Sequence, residues 1–383
     1  MRRSLPLPVE LLGVIFCLAT AGCKIQDLTN LTRVCTDFRT ILFATPLFWT
    51  DLLVVFTHNT DLRKLIAQLG KLFKRSQKQW VRLSLNYESD MPHHEINILN
   101  DFLLDTGFTF RLKGLSVRFS KSVDLGHLGT IIRSGRVADA RRIFNDWDFF
   151  TQFLEIAGAK DVKPFEDLEY LSLNVLDMAV RLQSQTFRRG FPNLKVLALN
   201  CSPRYGQDRL KTIDWAGIDL KGLKALTIVP FHDRDGLELS AYHLHTILSG
   251  APDLESLNLS IPPQPSMTGA PPGPLIDKVI IVHESLTELV LSGGIEDMAR
   301  LLSNLALPKL RSLRLEGANS DHGSRRLARR VLGTGILSKV EKLVRDSGCA
   351  LKELMIDFQI TWAEEQLAEL RALLPAMARL TLT

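Results

Sequence analysis

The chain of 383 residues is 45% hydrophobic and 23% charged, a composition that excludes a disordered polypeptide. Its length accommodates two or three ordinary domains, or one small domain and an elongated repeat array. A formal net charge of +5 spread over so large a surface excludes nucleic-acid binding by bulk charge, so that such a role requires a local patch.

The opening MRRSLPLPVELLGVIFCLATAGC places Arg2 and Arg3 before an uncharged run and small residues before Cys23. Those are the parts of a secretory or lipoprotein signal. Against that reading, Pro6, Pro8 and Glu10 sit where the apolar run should begin. The uncharged stretch is too short to span a bilayer, and the apolar pattern continues beyond it. The competing reading is a compact helical domain over residues 5–52. Pro8, Val9 and Glu10 suit a helix start, Leu11, Leu12, Ile15, Phe16 and Leu18 line its apolar side, and Gly22 closes it. Asp27 is expected to cap a second helix carrying Leu28, Leu31, Val34, Cys35 and Phe38 on one face. Thr45-Pro46 then breaks the chain before Leu47, Phe48 and Trp49.

Residues 53–78 read as a helical linker. Arg63, Lys64, Lys71, Lys74, Arg75 and Lys78 are interleaved with leucines at helical spacing. A second basic run holds Arg325, Arg326, Arg329 and Arg330. Both patterns suit the solvated face of an amphipathic helix; a nucleic-acid or anionic-membrane surface is the alternative.

From residue 79 onward one beat recurs, Leu-x-x-Leu-x-Leu. Clear copies start at Leu168, Leu194, Leu223, Leu254, Leu286 and Leu310, and looser ones at Trp80, Leu112, Leu351 and Met377. The fourth and sixth positions are two apart, as a strand demands, and are expected to point inward. Spacings of 24 to 41 residues between successive copies from Leu168 to Leu351 leave room for helical connectors. LHTILSG, IEDMARLLSNL and the long RRLARRVLGTGILSKVEKLVRDSG read as those helices. PPQPSMTGAPPGP, within 261–274, is a loop, since it can form neither ladder nor helix. RRIFNDWDFFTQFLEIAG reads as an aromatic-rich helix with Ile143, Trp147, Phe150 and Leu154 near one side. The expected fold is α/β: a three-helix N-terminal domain, then an irregular leucine-rich-repeat solenoid with a curved, mostly parallel sheet and helical connectors.

A row of short strands suits holding a protein against a surface. Side chains beside the inward leucines are the candidate target contacts: Tyr170, Lys195, Asn200, Lys224, Glu255, Asn258, Glu288, Arg311, Arg314 and Lys352. Their mixed charge does not point to a phosphate-rich partner. Catalytic signatures are lacking: the chain has no Gly-rich phosphate loop, no G-x-S-x-G and no H-E-x-x-H. His93, His94 and Glu95 have no patterned fourth ligand, and no cofactor is expected. Five widely spaced cysteines, Cys17, Cys23, Cys35, Cys201 and Cys349, suit a reducing compartment better than a disulfide framework.

The N-terminal blocks carry a resemblance. Leu7, Pro8, Val9, Glu10, Leu12, Ile15 and Phe16, then Leu31, Val34, Cys35, Phe38 and Arg39, then Pro46, Leu47 and Trp49 follow the order of an F-box. Phe38 stands where that motif usually has tryptophan, and Val9 where isoleucine is common. Together with the leucine repeats, the layout resembles the F-box proteins of mushroom-forming fungi. The resemblance implies a non-enzymatic substrate receptor that binds the Skp1 adaptor, and through it a cullin, by Leu7, Pro8, Glu10, Leu12, Ile15, Phe16, Val34, Cys35, Phe38 and Trp49. Pro8, Leu12 and Phe16 are expected nearest the partner. It also implies a protein target on the repeats, a cytoplasmic or nuclear location, and no membrane or nucleic-acid partner. The alternatives are a repeat scaffold without a ligase role and a secreted repeat protein.

Overall fold

The computed structural model describes residues 8, 11–12, 14–16, 25–57, 60–87, 98, 111–119, 165–175, 191–201, 219–230, 241–261, 280–317, 326–358, 368, 372 and 379–382. It is α/β, with parallel strands and intervening helices. Two compact units divide the chain: Met1–Leu173 with Arg189–Leu194, and Asn174–Arg188 with Lys195–Thr383.

In the first unit, Leu11, Leu12, Val14, Ile15 and Phe16 are helical, and the Leu12 N–H donates to the Pro8 carbonyl at 3.1 Å. Helix α1 (Ile25–Val34) buries Ile25, Leu28 and Thr32, a one-sided stripe at helical spacing. Asp27 lies inside its first turn and not before it. It meets the positive end of the helix dipole from within, which corrects its expected role as the cap. Helix α2 (Thr36–Ala44) is capped by Cys35, whose Sγ accepts the Phe38 N–H at 3.4 Å. A 3-10 turn, Pro46–Trp49, follows where Pro46 ends the helix.

Strand β1 (Asp51–Phe56) comes next, and it corrects the expectation of a helical linker from residue 53. DLLVVF is rich in β-branched and leucine side chains, and alternate residues Leu52, Val54 and Phe56 are buried. Only then does α3 (Leu62–Arg75) begin, N-capped by Asp61, which accepts the Lys64 N–H at 3.2 Å. Leu62, Leu69, Leu72 and Phe73 face inward. Its C-terminal end is closed by Arg111, which donates to the Phe73 carbonyl at 2.8 Å and also to the Gln77 carbonyl. Such donors satisfy carbonyls that a helix end leaves open. Strands β2 (Val81–Tyr87), β3 (Leu112–Phe119) and β4 (Tyr170–Val175) then extend the parallel ladder in chain order from β1.

In the second unit the strands β5 (Val196–Cys201), β6 (Ala225–Pro230) and β7 (Ser256–Ile261) pair in turn. Helix α4 (Ala241–Gly250) precedes β7. A two-residue strand β8 (Ile281–Val282) leaves the ladder to pair with β10 (Leu305–Ala306) in a small sheet of its own. Strand β9 (Glu288–Gly293) joins β7, and after helix α5 (Ile295–Leu302) strand β11 (Ser312–Gly317) joins β9. Helix α6 (Arg326–Ser347), β12 (Glu353–Asp357) and β13 (Arg379–Leu382) complete the run. The three expected connector helices are thus α4, α5 and α6. The Pro-rich loop, the aromatic-rich helix around Trp147 and the His93-His94-Glu95 cluster lie outside the described residues.

The beat has the predicted meaning for burial. Leu197 and Leu199, Leu226 and Ile228, Leu257 and Leu259, Leu289 and Leu291, Leu313 and Leu315, and Leu354 and Ile356 are all buried. Register is held by a repeated entry bond. The Lys224 N–H donates to the Lys195 carbonyl at 2.7 Å, Glu255 to Lys224 at 2.8 Å, Arg311 to Thr287 at 2.8 Å and Lys352 to Arg311 at 2.8 Å. A one-residue slip would expose every inward leucine, so core and ladder enforce the same register.

Candidate functional site

Two surfaces carry the candidate residues. On the helical head, the helical residues 11, 12 and 14–16, which precede α1, divide sharply. Leu12 and Phe16, four apart, are 6% and 5% exposed, while Leu11, Val14 and Ile15 are 51%, 57% and 46% exposed. The Phe16 ring is held edge-on by Phe38 at 4.7 Å and by Phe48 at 6.2 Å, which is why that side is closed. The expectation that Leu12 and Phe16 lie nearest a partner is therefore corrected: they form the support beneath the exposed stripe. Pro8 is exposed, Phe38 and Cys35 are half-buried, and Val34 is 62% exposed. Trp49 is wholly buried. Leu7 and Glu10 lie outside the described residues.

Leu11, Val14, Phe43 and Leu47 were not among the expected adaptor contacts, yet all four are exposed. Among the described residues, six of the ten exposed large hydrophobics fall between residues 11 and 47. That concentration marks the head, since scattered exposed leucines need no explanation but clustered ones do. The i, i+3, i+4 spacing of Leu11, Val14 and Ile15 was the sequence signal available for it.

On the sheet of the second unit, the in-register row Ala198, Thr227, Asn258, Val290, Arg314 and Met355 runs between the buried leucine rows. Asn258 and Arg314, two expected target contacts, share this row. Val290 between them is only 9% exposed. Lys195, Lys224, Glu255, Arg311 and Lys352 form a second, exposed row where the strands begin. Lys224 spends its charge on Glu255, Nζ to carboxylate at 2.8 Å, and that hydrogen bond holds its ammonium above the usual lysine range.

Glu288 accepts the Ser256 hydroxyl at 2.9 Å. Two strands further, Glu353 accepts the Ser312 hydroxyl at 3.2 Å and lies 3.7 Å from both Arg314 and Arg379. The Nε of Arg314 is buried without a hydrogen-bond partner among the described residues. Asn200 is in β5, opposite Val229. Tyr170, half-buried at the start of β4, belongs to the first unit. Ser172, between the buried Leu171 and Leu173 of β4, is itself covered at 2% exposed.

Among the described residues, no helix is long and apolar enough to cross a membrane, and no group of three or more His, Cys, Asp or Glu converges as a metal site would require. No protein-family model matches this chain, and no curated protein matches it.

Proposed function

We propose that this chain is a non-enzymatic substrate receptor of a cullin-RING ubiquitin ligase. In this reading the helical head docks on a Skp1 adaptor. The leucine-cored parallel strands, arranged as a leucine-rich-repeat solenoid, hold a protein target, and catalysis is supplied in trans through proximity. The observation that carries the proposal is the exposed stripe of Leu11, Val14 and Ile15 standing on the closed support of Leu12 and Phe16. An apolar cluster kept outward on a packed support is what the centre of a protein interface requires.

The order of F-box-like blocks names the partner. The mixed charge and half-burial of the β5–β12 face favour a protein target over nucleic acid. The experiment is association of the purified full chain with a purified Skp1 adaptor. Leu11→Asp with Ile15→Asp is expected to abolish binding while leaving the thermal melt in place. Wild-type protein that fails to bind the adaptor, or a double variant that binds equally well, overturns the proposal.

A further inference from the structure

Helix α3 presents a second surface that the docking stripe does not include. At 100° per residue, Arg63, Lys64, Lys71, Lys74 and Arg75 fall within an arc of about 120°, and Leu62, Leu69, Leu72 and Phe73 occupy the buried side. The helix contains no Asp or Glu. Asp61, at its N-cap, is already engaged: it accepts the Lys64 N–H and pairs with Lys64 Nζ at 3.0 Å. Arg63, Lys71 and Lys74 are exposed and have no ion-pair partner among the described residues. The arc therefore keeps a single sign over roughly 20 Å of helix.

Its C-terminal end joins the apolar surface of the head. The Arg75 guanidinium lies 4.0 Å from the ring centre of Phe43 and 5.1 Å from that of Trp49. Phe43 is 38% exposed, and Leu47, in the adjoining 3-10 turn, is 60% exposed. A polar rim around an apolar centre is the usual arrangement of a protein–protein interface, and here the rim is cationic. Because its apolar side is spent on the protein's own core, α3 cannot insert into a bilayer as an amphipathic anchor does.

We propose that the cationic arc of α3 is an electrostatic docking rim for an acidic protein surface, carried by the same adaptor that takes the apolar head. This rests on the adaptor reading and adds to it the chemistry of the partner: carboxylates facing Arg63, Lys71 and Lys74, beside an apolar groove for Phe43 and Leu47. Opposed patches of this kind act on the rate of encounter more than on the lifetime of the complex.

The test is stopped-flow association of the full chain with the purified Skp1 adaptor at low and high salt. Wild type, Lys71→Glu with Lys74→Glu, and Leu11→Asp with Ile15→Asp are compared. The charge-reversed protein is expected to associate at least about tenfold more slowly at low salt, to converge on wild type at high salt, and to dissociate at an unchanged rate. Equal association rates for wild type and the charge-reversed protein overturn this inference alone and leave the adaptor reading standing. Absence of any association by wild type overturns both. A parallel titration uses a labelled single-stranded oligonucleotide and phosphatidylserine vesicles at physiological salt. Tight binding to either that is lost on charge reversal assigns the arc to another partner class and overturns the inference.

Discussion

The indole Nε1–H of Trp49 donates to the backbone carbonyl of Leu42 at 2.9 Å, in a site without solvent exposure. A continuing helix would offer that carbonyl to residue 46, and Pro46 has no N–H to give. Trp49 thus satisfies the acceptor that the proline leaves open, and the acceptor satisfies the buried indole. Trp49→Phe should keep most of the packing yet strand the Leu42 carbonyl, costing about 1–3 kcal/mol. Trp49→Ala should cost about 3–5 kcal/mol. Urea unfolding of the full chain followed by circular dichroism measures both.

The two sides of the helical segment that holds Leu12 and Ile15 should respond in opposite ways. Leu12→Ala removes a buried side chain and should cost about 2–5 kcal/mol. Ile15→Ala, on the exposed stripe, should stay within about 0.5 kcal/mol of wild type. Equal losses by denaturant unfolding would mean that the stripe is core and not surface.

Two glycines should also part company. A Cβ on Gly293 would lie 1.9 Å from the Ile261 carbonyl oxygen, and its φ is +145°. No L side chain fits that conformation or that gap, so Gly293→Ala should cost about 3 kcal/mol or more. Gly70, inside α3, has nothing within 4 Å of such a Cβ. Gly70→Ala should stabilise by about 0.5–1 kcal/mol, the helix preference for alanine. Thermal melts of the two variants against wild type decide the matter.

His283 is 3% exposed and joins two segments. Its Nδ1 accepts the Leu286 N–H at 3.1 Å, so the proton sits on Nε2, which donates to the Ala251 carbonyl at 2.9 Å. His283→Ala leaves the Leu286 N–H buried and unpaired, at about 1–3 kcal/mol, while the Ala251 carbonyl keeps the Leu254 N–H as a donor at 3.1 Å. His283→Gln, able to restore one bond, should lose less. Hydrogen exchange at the Leu286 amide would report the change locally.

The carboxyl of Asp61 is held below its ordinary range, first by the Lys64 side chain and then by the Lys64 backbone N–H. A folded-state pKa below the unfolded one means stabilisation that is present above the unfolded value and lost as pH falls through the folded one. The stability gap between wild type and Asp61→Ala should therefore be constant near neutrality. It should narrow as pH falls below about 5, where the unfolded carboxyl begins to take up its proton, as read from urea midpoints at each pH.

Much of the strand framework was legible because the signal is local. Leu313 and Leu315 must point the same way on a pleated chain whatever lies beside them, and the burial of each leucine pair follows. Strand β1 escaped that reading because DLLVVF carries apolar residues on both faces and lacks the beat. Strands β8 and β10 are two residues each, too short for any periodicity to register. His283 looked like one histidine among nine. Its role depends on Ala251, more than thirty residues earlier.

The head shows where local pattern stops. Leu11, Leu12, Ile15 and Phe16 are similarly apolar, and helical spacing assigns all of them to one broad side. Phe38 and Phe48, arriving from later elements, cover Phe16 and leave Ile15 outside. Spacing alone set where the beat-bearing strands and their connector helices run and which residues share a side, because those follow from backbone geometry within a few residues. Which portion of an apolar side is closed, which carbonyl receives Trp49 and which glycine has a carbonyl against it came from the folded chain. Exposure and partnership belong to whatever distant segment packs against a residue, and no local pattern encodes that arrival.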